Sequence, residues 1–507
     1  MHNTNRMTTA TDPVEHAPSI VKTHDHRVAV TLALFAVAAL ICAILSPGFV
    51  AADACTHFLF AKYVFADPLN WVDVWGRPLC TGLYAVPAYL GGRLGVRMCS
   101  IGVAIGCALV SRAIAIKAGE RQGFLALLFT LGGPLFFLFS FSEMTELPFA
   151  LVLGAAVLCF QRRRWLGFAL LAGLLPTARP EGFEFVVLAG LALVLHRRWI
   201  GVVVLVAPLV AWDVAGWFLT HRAGPWYAWL LHAWPWSEQS LYGRGSIFSF
   251  AAAMPVIVSP LVFPATLVGI WRCIRPAVVD AIVRPREVLN HENLGRLMIV
   301  LIPLGVLFGH SVLRWLGRFG SFGEARYLLV AAPLWGVLSA QGWDWIFQRM
   351  SWRHAERWAV AAICFPILLN AIDPIVPLRL EKDWQAAARF ADAYRSGGYA
   401  RTHPRIVASH PGVHYFLGID PNAGNRRDAF TATRIALPTS GTILVWDPIF
   451  SSKNANVEDT ATLDAFLSAG WIVDVDLTTS TDGSPQSNSR FDDPAVWHVF
   501  KSNTLSP

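Results

Sequence analysis

VAVTLALFAVAALICAILSP, residues 28–47, carries no charged side chain, and shortly past it, in Phe49–His57 (FVAADACTH), stands Asp53. A helix rising 1.5 Å per residue needs about 20 apolar residues to cross the hydrocarbon core of a bilayer. Residues 28–47 therefore read as a membrane span, and Asp53 falls where the bilayer gives way to water. A carboxylate at that depth is costly to desolvate, so its default reading is functional.

Composition extends this reading to the whole chain. Its 507 residues are 55% hydrophobic and only 15% charged, with a mean hydropathy of +0.47. The apolar residues come in blocks, and many of the 21 tryptophans stand at block edges (Trp71, Trp75, Trp165, Trp199, Trp217, Trp343), as in an interfacial aromatic belt. The expected class is an α-helical polytopic membrane protein. The formal charge of +7 sits in short loops between apolar blocks rather than on one face, which is topology and not a nucleic-acid surface. Residues 1–27 read as a cytoplasmic tail, and the block after them, which lacks a cleavage site, as a retained anchor.

About eleven spans are expected, near 28–47, 96–117, 122–141, 147–160, 165–178, 183–196, 200–219, 246–271, 297–313, 326–347 and 356–372. Basic residues precede the first span (Lys22, Arg27) and follow each even-numbered one: Lys117 and Arg121, Arg162–Arg164, His196–Arg198, Arg272 to Arg296, and Arg349 to Arg357. Positive loops face the cytoplasm. The N-terminus is then cytoplasmic, the C-terminus outside, and the loops 48–95, 142–146, 179–182, 220–245 and 314–325 extracytoplasmic. Pro78 to Gly92, within the long first loop, reads as a helix along the membrane surface. Residues 28–372 form the transmembrane domain. Residues 373–507 form a C-terminal extracytoplasmic α/β domain, with helices at 383–396 and 460–469 and strands at 405–409, 441–446, 471–477 and 497–501. Residues 478–490 read as a polar loop.

All eight cysteines precede the outer domain. Cys55 and Cys80 share the first outer loop, where a disulfide is chemically open to them. No metal motif is present. The outer loops instead collect carboxylates and arginines: Asp53 and Arg77, Glu143 and Glu146, Arg179 and Glu181, Glu238 and Arg244, and Glu324 and Arg326. For each alone the bland reading is a solvated acid, an interfacial anchor or a loop-holding pair. Converging beside lipid, they suit an amphiphilic substrate bearing a phosphate: arginines neutralise the phosphate and a carboxylate accepts a proton from an attacking hydroxyl.

As an ensemble these residues resemble the GT-C superfamily of integral-membrane glycosyltransferases. The likeness covers roughly residues 28–372 and rests on Asp53 soon after span one, Arg77-Pro78-Leu79 entering a surface helix, and Gly95-Val96-Arg97 leading into span two. Further along are Ser142-Glu143, the Arg179-Pro180-Glu181-Gly182 turn, and Arg326-Tyr327-Leu328-Leu329 opening a late span. The sequence departs from the pattern where Ala54, not a second acid, follows Asp53, and where Gly76-Arg77-Pro78 replaces a His or Pro-Pro pair. The resemblance implies sugar transfer from a polyprenyl-phosphate donor to a lipid, glycan or protein acceptor, with inversion; bacterial mannosyltransferase-like members fit best. Asp53 would be the general base, and Arg326 with Arg179 would stabilise the leaving phosphate. Glu143, Glu146, Arg77 and Glu181 would bind sugar or acceptor, with Glu143 also placed to assist a divalent metal. The aromatic loop Trp226 to Trp236 reads as an interfacial belt or a stacking surface for the donor.

Two rival classes are a lipid or solute transporter, for which Asp213 in an apolar span is the main candidate, and a scaffold binding a partner through an edge near Asp447.

Overall fold

The computed structural model describes residues 18–119, 123–220, 224–233, 243–283, 290–318, 323–350, 354–372, 380–420, 440–447, 450–451, 466–474, 477–480 and 496–502. The expected sites at Glu238 and Trp234–Trp236 lie outside the described residues, as does most of the expected helix at 460–469.

Helix α1 (Pro18–Leu45) carries the opening apolar run and is followed by α2 (Ala52–Tyr63), whose first turn holds Asp53. Next comes α3 (Pro78–Lys117), which is two helices joined at a bend: Gly92 sits at φ 56°, ψ −144°, a left-handed conformation that glycine adopts without steric cost. The bend falls where the expected surface helix meets the expected second span. The bundle continues with α4 (Gly123–Leu131), α5 (Pro134–Phe139), α6 (Glu146–Gln161), α7 (Trp165–Ala178), α8 (Gly182–Leu195), α9 (Trp199–Thr220) and the short α10 (Trp229–Ala233). It closes with α11 (Ser249–Val258), α12 (Phe263–Val283), α13 (His291–Leu316), α14 (Ala332–Arg349) and α15 (Ala355–Ile372).

Among the described residues four helices are individually long and apolar enough to cross a membrane: His26–Leu45, α3, α9 and α13. The expected third span is broken at Gly132-Gly133-Pro134 into α4 and α5, because the proline cannot continue α4. The expected eighth is bent by 106° between α11 and α12. There Ser259 takes φ 75° and its hydroxyl donates to the Ala362 carbonyl at 3.2 Å. The tenth opens not as an α-helix but as a 3₁₀ run, Ala325–Ala331, before α14.

The closest helix packing is between α12 and α14. A Cβ on Gly342 would stand 1.7 Å from the Ala265 carbonyl oxygen, and one on Gly269 1.9 Å from that of Leu338. Small residues thus let the two backbones touch, as is usual between helices in membranes, and Thr266 and Ser339 hydroxyls meet beside them at 2.8 Å.

After α16 (Lys382–Ser396) and the turn α17 (Tyr399–Thr402), strand β1 (Arg405–Ala408) leads into α18 (Pro411–Leu417). Then come β2 (Thr442–Trp446), β3 (Ile472–Val473), β4 (Thr479–Ser480) and β5 (Val496–Lys501). The sheet runs β1-β2-β5-β3, with β1 parallel to β2, β5 antiparallel to β2, and β4 paired to β5. The two-residue period of a strand divides β2: Ile443 and Val445 pack with Phe390 and Val413, while Leu444 and Trp446 pack with Phe466 and Trp471. The expected strand at 471–477 is corrected to Ile472–Val473, since Asp474 turns the chain by accepting the Leu477 amide at 3.2 Å. This unit seats on α2: Phe49 meets Trp384 at 5.3 Å and Tyr415 at 5.0 Å between ring centroids, and Phe58 meets Tyr415 at 5.8 Å. Cys55 and Cys80 are both buried as free thiols, so the disulfide left open by their spacing is not formed.

Candidate active site

Asp53 lies in the first turn of α2, after Ala51 in extended conformation, where the helix dipole favours a carboxylate. Its Oδ2 accepts from Arg326 Nη2 at 2.7 Å, and its side chain is 48% exposed against 10% for Arg326. Arg326 is in the 3₁₀ run, which also presents its guanidinium to the Glu324 carboxylate and, at 3.8 Å, to Glu146 Oε1. Glu146 opens α6 and is fully buried; its Oε1 also pairs with Arg179 Nη1 at 2.8 Å.

Arg179 ends α7 and is saturated. Its Nη2 meets Glu181 at 2.9 Å, its Nε reaches the same carboxylate, and its Nη1 also donates to Thr145 Oγ1 at 2.9 Å. Glu181 in turn lies 3.4 Å from His310 Nε2. The Tyr327 ring fills the centre, with the Arg179 and Arg326 guanidiniums 5.0 and 5.6 Å from its centroid and the His310 ring at 4.8 Å. The result is one continuous network, Asp53–Arg326–Glu146–Arg179–Glu181–His310, buried at its inner end and open at Asp53 and Glu324.

Burial pushes the Asp53 carboxyl up, but the Arg326 guanidinium and its hydrogen bond outweigh this and hold it below the ordinary value. Glu181 is likewise penalised by burial yet held well below the usual carboxylate range by Arg179 and His310. Glu324 moves the other way: its burial, with Asp53 nearby, outweighs Arg326. His57, one turn beyond Asp53, is buried, and that burial drives its pKa down to about 3, with the pull of Asp53 opposed by Arg77, Arg179 and Arg326. Its Nδ1 has no hydrogen-bond partner among the described residues.

Five of the expected site residues thus meet: Asp53, Arg326, Glu146, Arg179 and Glu181. Arg77 stands at their edge. It precedes α3 at φ 60° and places its guanidinium 5.7 Å from the Trp75 ring. Glu143 is elsewhere. It is fully buried against Arg97 at 2.8 Å, and the same guanidinium binds the carbonyls of Ala43 (2.7 Å), Ser46 (2.8 Å) and Gly48 at the end of α1. Among the described residues no group of three or more His, Cys, Asp or Glu side chains could hold a metal ion; Glu143 gives Oε1 to Arg97, and its Oε2 has no hydrogen-bond partner among the described residues. His310 is the member that sequence reasoning missed; a lone histidine inside an apolar span was the available signal. Asp213 is buried, and its Oδ1 accepts the Leu230 amide at 2.7 Å, tying α9 to α10.

Two solved structures share this architecture. The crystal structure of ArnT from Cupriavidus metallidurans in the apo state superposes with a TM-score of 0.56 and 14% identity, covering 94% of this chain and 99% of that one. The crystal structure of the same protein bound to undecaprenyl phosphate gives 0.53 and 13% over the same shares. No family model and no curated relative matches the sequence. The chain therefore shares its fold with ArnT.

Proposed function

We propose that this chain is a membrane glycosyltransferase that moves a sugar from a polyprenyl-phosphate donor to an acceptor hydroxyl at the extracytoplasmic face. The observation that carries the reading is the half-exposed Asp53 carboxylate, paired with Arg326 at the open end of a buried arginine–carboxylate network. The ArnT fold spans nearly the whole chain, and one ArnT structure holds a polyprenyl phosphate. Asp53 takes the acceptor proton as the acceptor oxygen attacks the anomeric carbon. The bond from that carbon to the phosphate oxygen breaks, and the polyprenyl phosphate leaves with an added negative charge. One in-line displacement inverts the anomeric centre.

Arg326 meets the leaving phosphate directly, because its partners Asp53 and Glu324 lie at the accessible end. Arg179 acts through its field and through Glu146, which spaces the two arginines; such fixed charge costs no reorganisation during reaction. Phosphate binding at Arg326 competes with Asp53 for the guanidinium and so restores basicity to the carboxylate when donor is present. Arg77 is placed for the sugar or acceptor. Mannose is the sugar favoured by the resemblance, with the N-terminus cytoplasmic and the sheet unit outside. For the transporter reading, Asp213 gives Oδ1 to the Leu230 amide, while its Oδ2 has no hydrogen-bond partner among the described residues. The test is transfer from a panel of labelled polyprenyl-phosphate sugars. Asp53→Asn should lower turnover by about 10²–10⁴-fold, the usual worth of a general base, with thermal stability retained. Equal transfer by the variant and wild type removes Asp53 from the role.

A further inference from the structure

The end of the bundle opposite Asp53 carries a second polar site. The C-termini of α3 and α6 and the N-terminus of α13 converge there around a cavity of about 450 Å³ lined by Lys117, Gln161, Arg163, His291, Glu292 and Arg296. The sole acid among these is drawn off by the Arg296 guanidinium at 2.8 Å. Lys117 and Arg163 have no ion-pair partner among the described residues. Two buried polar atoms facing this junction, His291 Nδ1 and Gln161 Oε1, have no hydrogen-bond partner among the described residues, and buried polar atoms are normally satisfied.

Basic loops that merely fix topology explain the charge but not its setting. Arg163 is held at φ 57°, the left-handed position closing α6. Its amide bonds the Phe160 carbonyl at 2.9 Å, and that of Arg164 bonds the Cys159 carbonyl at 2.8 Å. Glycine is the usual residue there and an L side chain is strained; Arg197 closes α8 in the same conformation, at φ 57°.

We propose that this cavity binds a phosphate group. Lys117 and Arg163 supply the charge, and Gln161 Oε1 and His291 Nδ1 accept from a protonated phosphate oxygen. Basic pockets between helices on the expected cytoplasmic side suit anionic lipid headgroups, and a soluble phosphate offers the same chemistry. The site does not depend on sugar transfer.

The purified full chain in neutral detergent would be tested by thermal shift and native mass spectrometry. The probes are short-chain phosphatidic acid, the matching diacylglycerol and inorganic phosphate. The wild type should be stabilised by a phosphate-bearing probe and not by diacylglycerol. In Arg163→Gly, which relieves the backbone strain, affinity should fall about tenfold or more while the ligand-free Tm is no lower; Lys117→Gln should weaken binding similarly. An effect reproduced by inorganic phosphate supports the proposal with a soluble ligand, and one requiring the acyl chains supports it with a lipid headgroup. Equal affinity in Arg163→Gly and wild type, or a wild type that responds to diacylglycerol as to the phosphates, overturns it.

Discussion

At the scale of single residues, the inner half of the network is held by mutual neutralisation. Breaking a buried ion pair by removing one partner costs about 3–5 kcal/mol, because the other charge is left uncompensated. Glu181→Gln is expected to destabilise the chain by that order, since Arg179 is 9% exposed and Glu181 7%. Among the groups that shape the acid response, His57 and Glu181 begin to act at different pH. His57, neutral in the fold down to about pH 3, leaves the unfolded chain to bind the extra proton below its ordinary value of about 6.5. Stability therefore falls as pH drops from 6.5 towards 3. Glu181, held below the usual range, contributes stability that is present above about pH 4.3 and lost as pH falls below it. In melting curves taken against pH, His57→Gln should flatten the decline that begins near pH 6.5 and leave the lower limb intact. A decline unchanged in His57→Gln would show that His57 is not its source.

Elements are where hydropathy reads well and backbone geometry reads poorly. The apolar runs place α1, α3, α6 to α9 and α13 close to where the chain puts them, because burial in lipid depends on side-chain type alone. The interruptions at Gly132-Gly133-Pro134 and at Ser259 lie inside apolar runs, and that along Ala325–Ala331 is apolar but for Arg326 and Tyr327, so a hydropathy window passes over all three. The last of these matters most, since it carries Arg326 and Tyr327. At the α12–α14 contact, Gly342→Ala would drive a methyl into the Ala265 carbonyl. Overpacking of this kind costs about 1–3 kcal/mol, so folded yield and Tm should drop. Gly305→Ala is the control: nothing lies within 4 Å of its added Cβ, and it should be neutral or slightly stabilising. Equal behaviour of the two variants would refute close backbone packing as the reason for Gly342.

Over the whole molecule, the sheet unit and the bundle share a core. The strands around β1, β2 and β5 were legible from β-branched runs, whereas α18 was not, because Pro411–Leu417 is short and its apolar face is used against another part of the chain. That face is what couples the two units: Tyr415 packs on Phe49 and Phe58, at either side of Asp53 in sequence. Truncation after residue 372 should therefore abolish transfer by loosening α2, without any side chain of the sheet unit entering the chemistry. Tyr415→Ala in the full chain should lower Tm and reduce kcat more than it changes the donor KM. A truncated chain with unchanged turnover would contradict this coupling.

Arg97 gives the arrangement a fixed point. One guanidinium gathers the last carbonyls of α1 and is itself neutralised by Glu143, so the corner between the first span and α2 behaves as a rivet rather than a hinge. The stretch just ahead of Asp53 is thereby tied to the start of the second span.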